Sequence, residues 1–144
     1  VGMELYDRGY EQHIVVAGFL HDLLEDTAVT VAEIRSQFGD DVANIVEATS
    51  FDEAIDDYLE RHLDIYERCF ALGRPAVAVK AADLLDNSDY YHLGEDVDLK
   101  RNVLEKMAYF VEHSEPYIGD DALYRDLSEK YPVVKERVER SIEE

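Results

Sequence analysis

The most constraining feature of this 144-residue chain is a helical segment with almost no polar face that ends abruptly in charge. The run Ile14-Val15-Val16-Ala17-Gly18-Phe19-Leu20 is followed at once by His21-Asp22-Leu23-Leu24-Glu25-Asp26-Thr27. A helix that is apolar nearly all round must lie in the interior, so its polar end is drawn into or beside the core. Buried charges are costly unless they are paired or bound to a metal. On one helix from about Glu11 to Glu25, His21 would lie above Glu25 and Asp22 above Asp26. A divalent cation would satisfy this group, and so would a solvated acidic helix end. These seven residues alone leave both open.

The puzzle recurs further on. Pro75 to Asn87 forms a second nearly all-apolar helix, and Lys80, Asp83 and Asn87 fall on one face of it at i, i+3 and i+7. A core helix rarely carries such a stripe without partners for it. One reading is an internal Lys80–Asp83 ion pair facing solvent. The other lets Asp83 join His21 and Asp22 around one cation, with Lys80 and Asn87 addressing a ligand.

The remaining chain fits an all-α, compact multi-helix bundle. The seven Gly and three Pro sit at segment ends, and no strand of useful length or internal repeat occurs. Helices are expected at Val1–Asp7, Glu11–Glu25, Val31–Phe38 with a Thr30/Glu33 capping box, and from an Asp40 cap to about Thr49. Others are expected at Asp56–Leu72, Pro75–Asn87 and Val97–His113. Pro116, Gly119 and Pro132 should then separate Ala122–Lys130 from Val133–Glu144. Ser50 to Asp57 reads as a loop.

Charge narrows the possible functions. With 14 basic against 34 acidic residues the net charge is −20, which repels nucleic acid and anionic membranes. No apolar run approaches a membrane span and no secretory leader pattern opens the chain, so a cytoplasmic protein is expected. A single cysteine, Cys69, excludes an internal disulfide and a multi-cysteine zinc site; in its apolar stripe it reads as inert.

The His21-Asp22 pair and the distant Asp83 resemble the H…HD…D signature of the HD-domain metal-dependent phosphohydrolases. The similarity is greatest to the (p)ppGpp hydrolase domains of RelA/SpoT homologues. Their HDxxEDT run is similar to His21–Thr27. Their Thr-x-x-x-Ile-x-x-x-Phe-Gly-x-x-Val segment resembles Thr30, Ile34, Phe38, Gly39 and Val42, and their K-x-A-D-x-x-x-N helix resembles Lys80-Ala81-Ala82-Asp83-Leu84-Leu85-Asp86-Asn87. The resemblance runs from Val1 to about Leu93 and fades over Thr49 to Arg74.

The resemblance implies a single HD-type domain over residues 1–144, lacking an N-terminal helix or helices, and one divalent ion, Mn²⁺, held by two His and two Asp. The ligands present are His21, Asp22 and Asp83. Glu25 and Asp26 would orient and activate the hydrolytic water, and Lys80 and Asn87 would contact a small nucleotide substrate. The family's first His has no counterpart here. His13, eight residues before His21 and so about 12 Å away along a helix, cannot share its metal and is expected at an exposed helix start. The missing His is expected a few residues before Val1. The implied activity is hydrolysis of a nucleotide phosphate ester, with a (p)ppGpp-type 3′-pyrophosphate leading. The alternatives are a nucleotidase of other preference and a non-catalytic HD-like binding or regulatory module.

Among other polar residues, His62, His92 and His113 stand alone and are read as surface or satisfied core positions. Tyr90 and Tyr91 are read as packing residues. Lys100, Arg101 and Lys106 on the following helix are further sources of positive charge.

Overall fold

The helix from Arg74 to Asn87 is the hub of the structure. In a computed structural model of the chain, residues 1–143 are described except for the side chain of Glu25. Among the described residues there are helices and no strands: α1 (Gly2–Asp7), α2 (Gln12–Leu20), α3 (Leu23–Asp26), α4 (Val31–Phe38), α5 (Asp40–Ala48), α6 (Tyr58–Leu72), α7 (Arg74–Asn87), a short 3₁₀ turn (Ser88–Tyr90), α8 (Val97–Ile118) and α9 (Ala122–Glu143). α7 buries Ala76, Val77, Ala78, Val79, Lys80, Ala81, Ala82 and Leu84, and touches α1, α2, α5, α6, α8 and α9. Its small side chains allow that many neighbours to approach at once.

Local chemistry sets most boundaries. Thr30 accepts a hydrogen bond from the Glu33 amide at 3.2 Å, Asp57 from Glu60 at 3.0 Å and Asp96 from Leu99 at 3.1 Å, fixing the starts of α4, α6 and α8. Gly73, at φ 103°, is the sole residue between α6 and α7, a backbone region that side-chain-bearing residues rarely adopt. It turns the chain so that α6 runs back along α7. Asp40, expected as a cap, is instead the first residue of α5; Gly39 holds the cap position, and the Asp40 carboxylate pairs with Arg35 at 2.7 Å.

Three expected helix boundaries are corrected. The segment from Glu11 to Glu25 is two helices, broken at His21-Asp22. The His21 imidazole takes the Gly18 carbonyl at 2.9 Å, the acceptor that an unbroken ladder would offer to the Asp22 amide. Pro116 does not end a helix, since α8 continues to Ile118, and Pro132 lies within an unbroken α9. Both prolines are exposed, so the carbonyls they leave unbonded, those of Glu112 and Ser128, can be hydrated rather than stranded. His13 is half-buried rather than exposed.

Where α1 crosses α2 the contact is close: a Cβ on Gly18 would stand 2.7 Å from Leu5 Cδ1 and 3.2 Å from the Gly2 Cα. This crossing and the α2–α7 contact bring the C-terminal end of α2 against the middle of α7.

Candidate metal and anion site

His21 sits where α2 gives way to α3 and is only 5% exposed. Its Nδ1 faces the Gly18 carbonyl, which leaves Nε2 pointing across to α7. Nε2 lies 3.0 Å from Asp22 Oδ1 and 3.5 Å from Asp83 Oδ1. The other Asp83 oxygen pairs with Lys80 Nζ at 3.0 Å, and the Asn87 amide donates to Oδ1 at 3.0 Å. Of the residues singled out in the sequence, the structure therefore brings together His21, Asp22, Lys80, Asp83 and Asn87. The Lys80–Asp83 pair is an internal one, not the solvent-facing bridge that was the alternative, since Lys80 is buried. Asp26 is exposed on α3 and is not among the residues contacting His21. The Glu25 side chain, expected to handle water, lies outside the described residues.

The electrostatics follow from this geometry. Burial works against a charge on Asp83, but the Lys80 ammonium and the His21 contact outweigh it and hold the carboxyl well below its usual range. Burial likewise disfavours a charged His21. The hydrogen bonds to Asp83 and the Gly18 carbonyl, with the two carboxylate charges, reverse that and raise its pKa. The cluster sets one imidazole between two carboxylates, an arrangement that favours its protonated form.

The donors fit a divalent ion in kind and spacing. Adjacent ligands about 2.1 Å from an octahedral ion lie about 3.0 Å apart, close to the 3.0 and 3.5 Å separations at His21 Nε2. They do not fit in number: among the described residues no group of three or more His, Cys, Asp or Glu is arranged as a ready cage. A bound ion would compete with protonation of His21 and would have to draw the three donors around itself.

The HD-domain family pattern matches residues 4–68, a span that contains His21 and Asp22 and stops before α7. Over that span the chain is similar to HD domains. It shows distant similarity to guanosine-3′,5′-bis(diphosphate) 3′-pyrophosphohydrolases. The enzyme of that name from Xenopus tropicalis is 38% identical over 74 residues, covering 51% of this chain and 41% of the relative. That of Aquifex aeolicus is 32% identical over 90 residues, covering 60% of this chain and 13% of the relative. The chain thus spans less than half the length of these relatives. The crystal structure of lmo0812 from Listeria monocytogenes EGD-e superposes with a TM-score of 0.75 at 24% identity, covering 92% of this chain and 91% of that one, so the helical fold is shared along almost the whole chain.

A second polar group borders the HD cluster and was not assembled from the sequence. Lys106 of α8, buried at 5% exposure, reaches His62 Nδ1 of α6 at 3.5 Å and lies over the rings of Tyr58 at 5.1 Å and Tyr91 at 5.3 Å. His62 was read as a lone residue and Tyr91 as packing; both belong to this group. Burial, then the charges of Lys106 and Lys80, push His62 down to about 3, so it is a neutral acceptor. The available signal was the phase of α8, where Lys106 stands beside Met107 and between Val103 and Phe110, all buried.

Proposed function

We propose that this chain is a metal-dependent phosphohydrolase acting on a nucleotide phosphate ester, with a guanosine 3′-pyrophosphate of the (p)ppGpp type as the leading substrate. The observation that carries this reading is the convergence of His21 and Asp22 with Asp83, from segments about sixty residues apart in sequence, in a chain whose residues 4–68 match the HD-domain pattern. The substrate rests on the names of the distant relatives. In this reading residues 1–144 act as one HD-type domain.

His21, Asp22 and Asp83 would hold a Mn²⁺-type ion, which when bound supplies a Lewis acid and lowers the pKa of coordinated water. The chain's own residues prepare that site. Asp83 is kept ionised by Lys80, while Lys80 and Asn87 each engage one of its oxygens and fix its orientation. Gly18 holds His21 by Nδ1 and so presents Nε2 to the site. Lys80 and Asn87 are also the proposed contacts for substrate phosphate. Asp26, open to solvent on α3, and Glu25 beside it are the proposed groups that orient the attacking water and accept its proton. A local cation would also let a chain of net charge −20 receive a polyanion.

The incomplete donor number favours a second reading, a non-catalytic HD-like binding module. Release of pyrophosphate from ppGpp, followed with and without Mn²⁺, separates the two. The hydrolase reading expects Mn²⁺-dependent release, lost together with metal binding in Asp83→Ala, whereas Glu25→Ala keeps the metal and loses turnover. Metal binding without any release from ppGpp or from nucleoside mono- and triphosphates would leave the binding module standing.

A further inference from the structure

The Lys106 group is built almost wholly of donors. Among the described residues no carboxylate pairs with the Lys106 ammonium, whose hydrogen-bond partner is the uncharged His62. The Tyr66 hydroxyl, in a side chain with 0% exposure, and the Tyr91 hydroxyl are both buried without a hydrogen-bond partner among the described residues. Asp83 acts electrostatically on Tyr66, on Tyr91 and on Lys106, and Lys80 acts on Lys106, which sets the group beside the HD cluster. Buried donors without acceptors are costly and rare, and a fold that keeps two such hydroxyls, the Tyr91 ring 5.3 Å from the Lys106 ammonium and the Tyr66 ring 6.5 Å from the His62 ring, is prepared for something that accepts. An anionic acceptor favours the charged form of Lys106, which burial disfavours. Its reach to several diverging donors suits the tetrahedral oxygens of a phosphate.

A route from solvent lies one side chain away. The Phe51 ring packs edge-on against His62 at 5.0 Å between centroids. The same residue lines a cavity of about 420 Å³ together with Ser50, Arg61 and Arg68. The Arg61 guanidinium stands 5.4 Å from the Phe51 ring, and the cavity is edged by Glu47 and Glu53 as well as by the two arginines.

We propose that Lys106, with Tyr66, Tyr91 and the supporting His62 and Tyr58, forms an anion pocket beside Asp83 that receives a phosphate or pyrophosphate group of the substrate other than the one being cleaved. This rests on the phosphohydrolase reading and extends it: the pocket selects nucleotides bearing a second phosphorylated position. Lys80 would address the group at the HD cluster, and Lys106 the group beyond it. Tyr58 and Tyr91 flank the ammonium and exclude water from it.

Calorimetric titration of inorganic pyrophosphate into EDTA-treated protein at 150 mM salt tests the pocket without metal or turnover. The wild type should bind saturably. Lys106→Met should weaken binding about tenfold or more, Tyr66→Phe should weaken it several-fold, and Lys106→Arg should recover part of the loss. Lys135→Met, an exposed change on α9, should bind like the wild type. Absence of saturable binding by the wild type, or equal binding by a folded Lys106→Met, overturns the pocket. The two readings fail separately: pyrophosphate binding through Lys106 with no release from ppGpp sinks the hydrolase, whereas ppGpp hydrolysis with an unchanged KM in Lys106→Met sinks the pocket alone.

Discussion

A residue kept for binding at the expense of the fold should reveal itself when replaced by an apolar side chain of the same length, and Lys106→Met is that replacement. Burial first, and then the Lys80 charge, lower the Lys106 ammonium from the ordinary 10.5 to about 7. At ~1.4 kcal/mol per unit, that displacement is worth roughly 5 kcal/mol against carrying this group into the fold at neutral pH. The variant gives up two ring contacts, about 1 kcal/mol each, and the hydrogen bond to His62, about 1 kcal/mol. Met keeps the unbranched apolar stem, so packing changes little. The balance is about 2 kcal/mol in favour of Met, or a rise in Tm of about 4–8 °C for a chain of this size. The sign with pH is fixed. Lys106 has a lower pKa folded than unfolded, so between about 7 and 10.5 the unfolded chain binds more protons and wild-type stability rises with pH. Urea denaturation should therefore show Lys106→Met more stable at pH 7, with the difference shrinking towards pH 10. A variant less stable than the wild type at pH 7, or a difference that does not change with pH, would refute the reasoning.

Other consequences concern the HD cluster and the core. His21 has a raised pKa through Asp83, the Gly18 carbonyl and Asp22, so in metal-free protein it adds stability that is fully present below its unfolded value near 6.5 and is lost as pH rises through the folded value. NMR titration should place the His21 pKa above that of an exposed histidine and show it falling in Asp83→Asn; an unchanged value would mean that Asp83 is not its partner. Gly18→Ala should destabilise by about 1–3 kcal/mol in urea, because the added methyl meets Leu5, fully buried, and the Gly2 backbone; a neutral result would show that the α1–α2 crossing can open freely. Cys69, at 0% exposure with its thiol pushed up to about 12 by burial, should not react with a thiol reagent until the protein unfolds.

The meeting of the two segments was legible because each broke its context: His21 and Asp22 end a run with no polar face, and Asp83 interrupts a helix rich in Ala, Val and Leu. The burial of α7 that makes Lys80 and Asp83 an internal pair followed from the same composition. The break between α2 and α3 was not legible, since it depends on one imidazole taking one backbone carbonyl, and helical periodicity does not register that competition. Pro116 and Pro132 misled because proline ends a helix only where its lost hydrogen bond cannot be replaced; both face water. The Lys106 pocket escaped because its members come from α6, α8 and the segment after α7. Each looks ordinary along the chain: Tyr58 and His62 are neighbours on α6, and only the tertiary phase of the helices brings Lys106 to them.

The most direct measurement of the central claim is a calorimetric titration of Mn²⁺ into metal-free protein, with His21→Ala, Asp22→Ala and Asp83→Ala beside the wild type. One ion per chain, displaced protons on binding, and loss of the site in each variant are the predicted results. No saturable binding by the wild type, or binding that survives the loss of Asp83, would contradict the assignment of His21, Asp22 and Asp83 to one metal site.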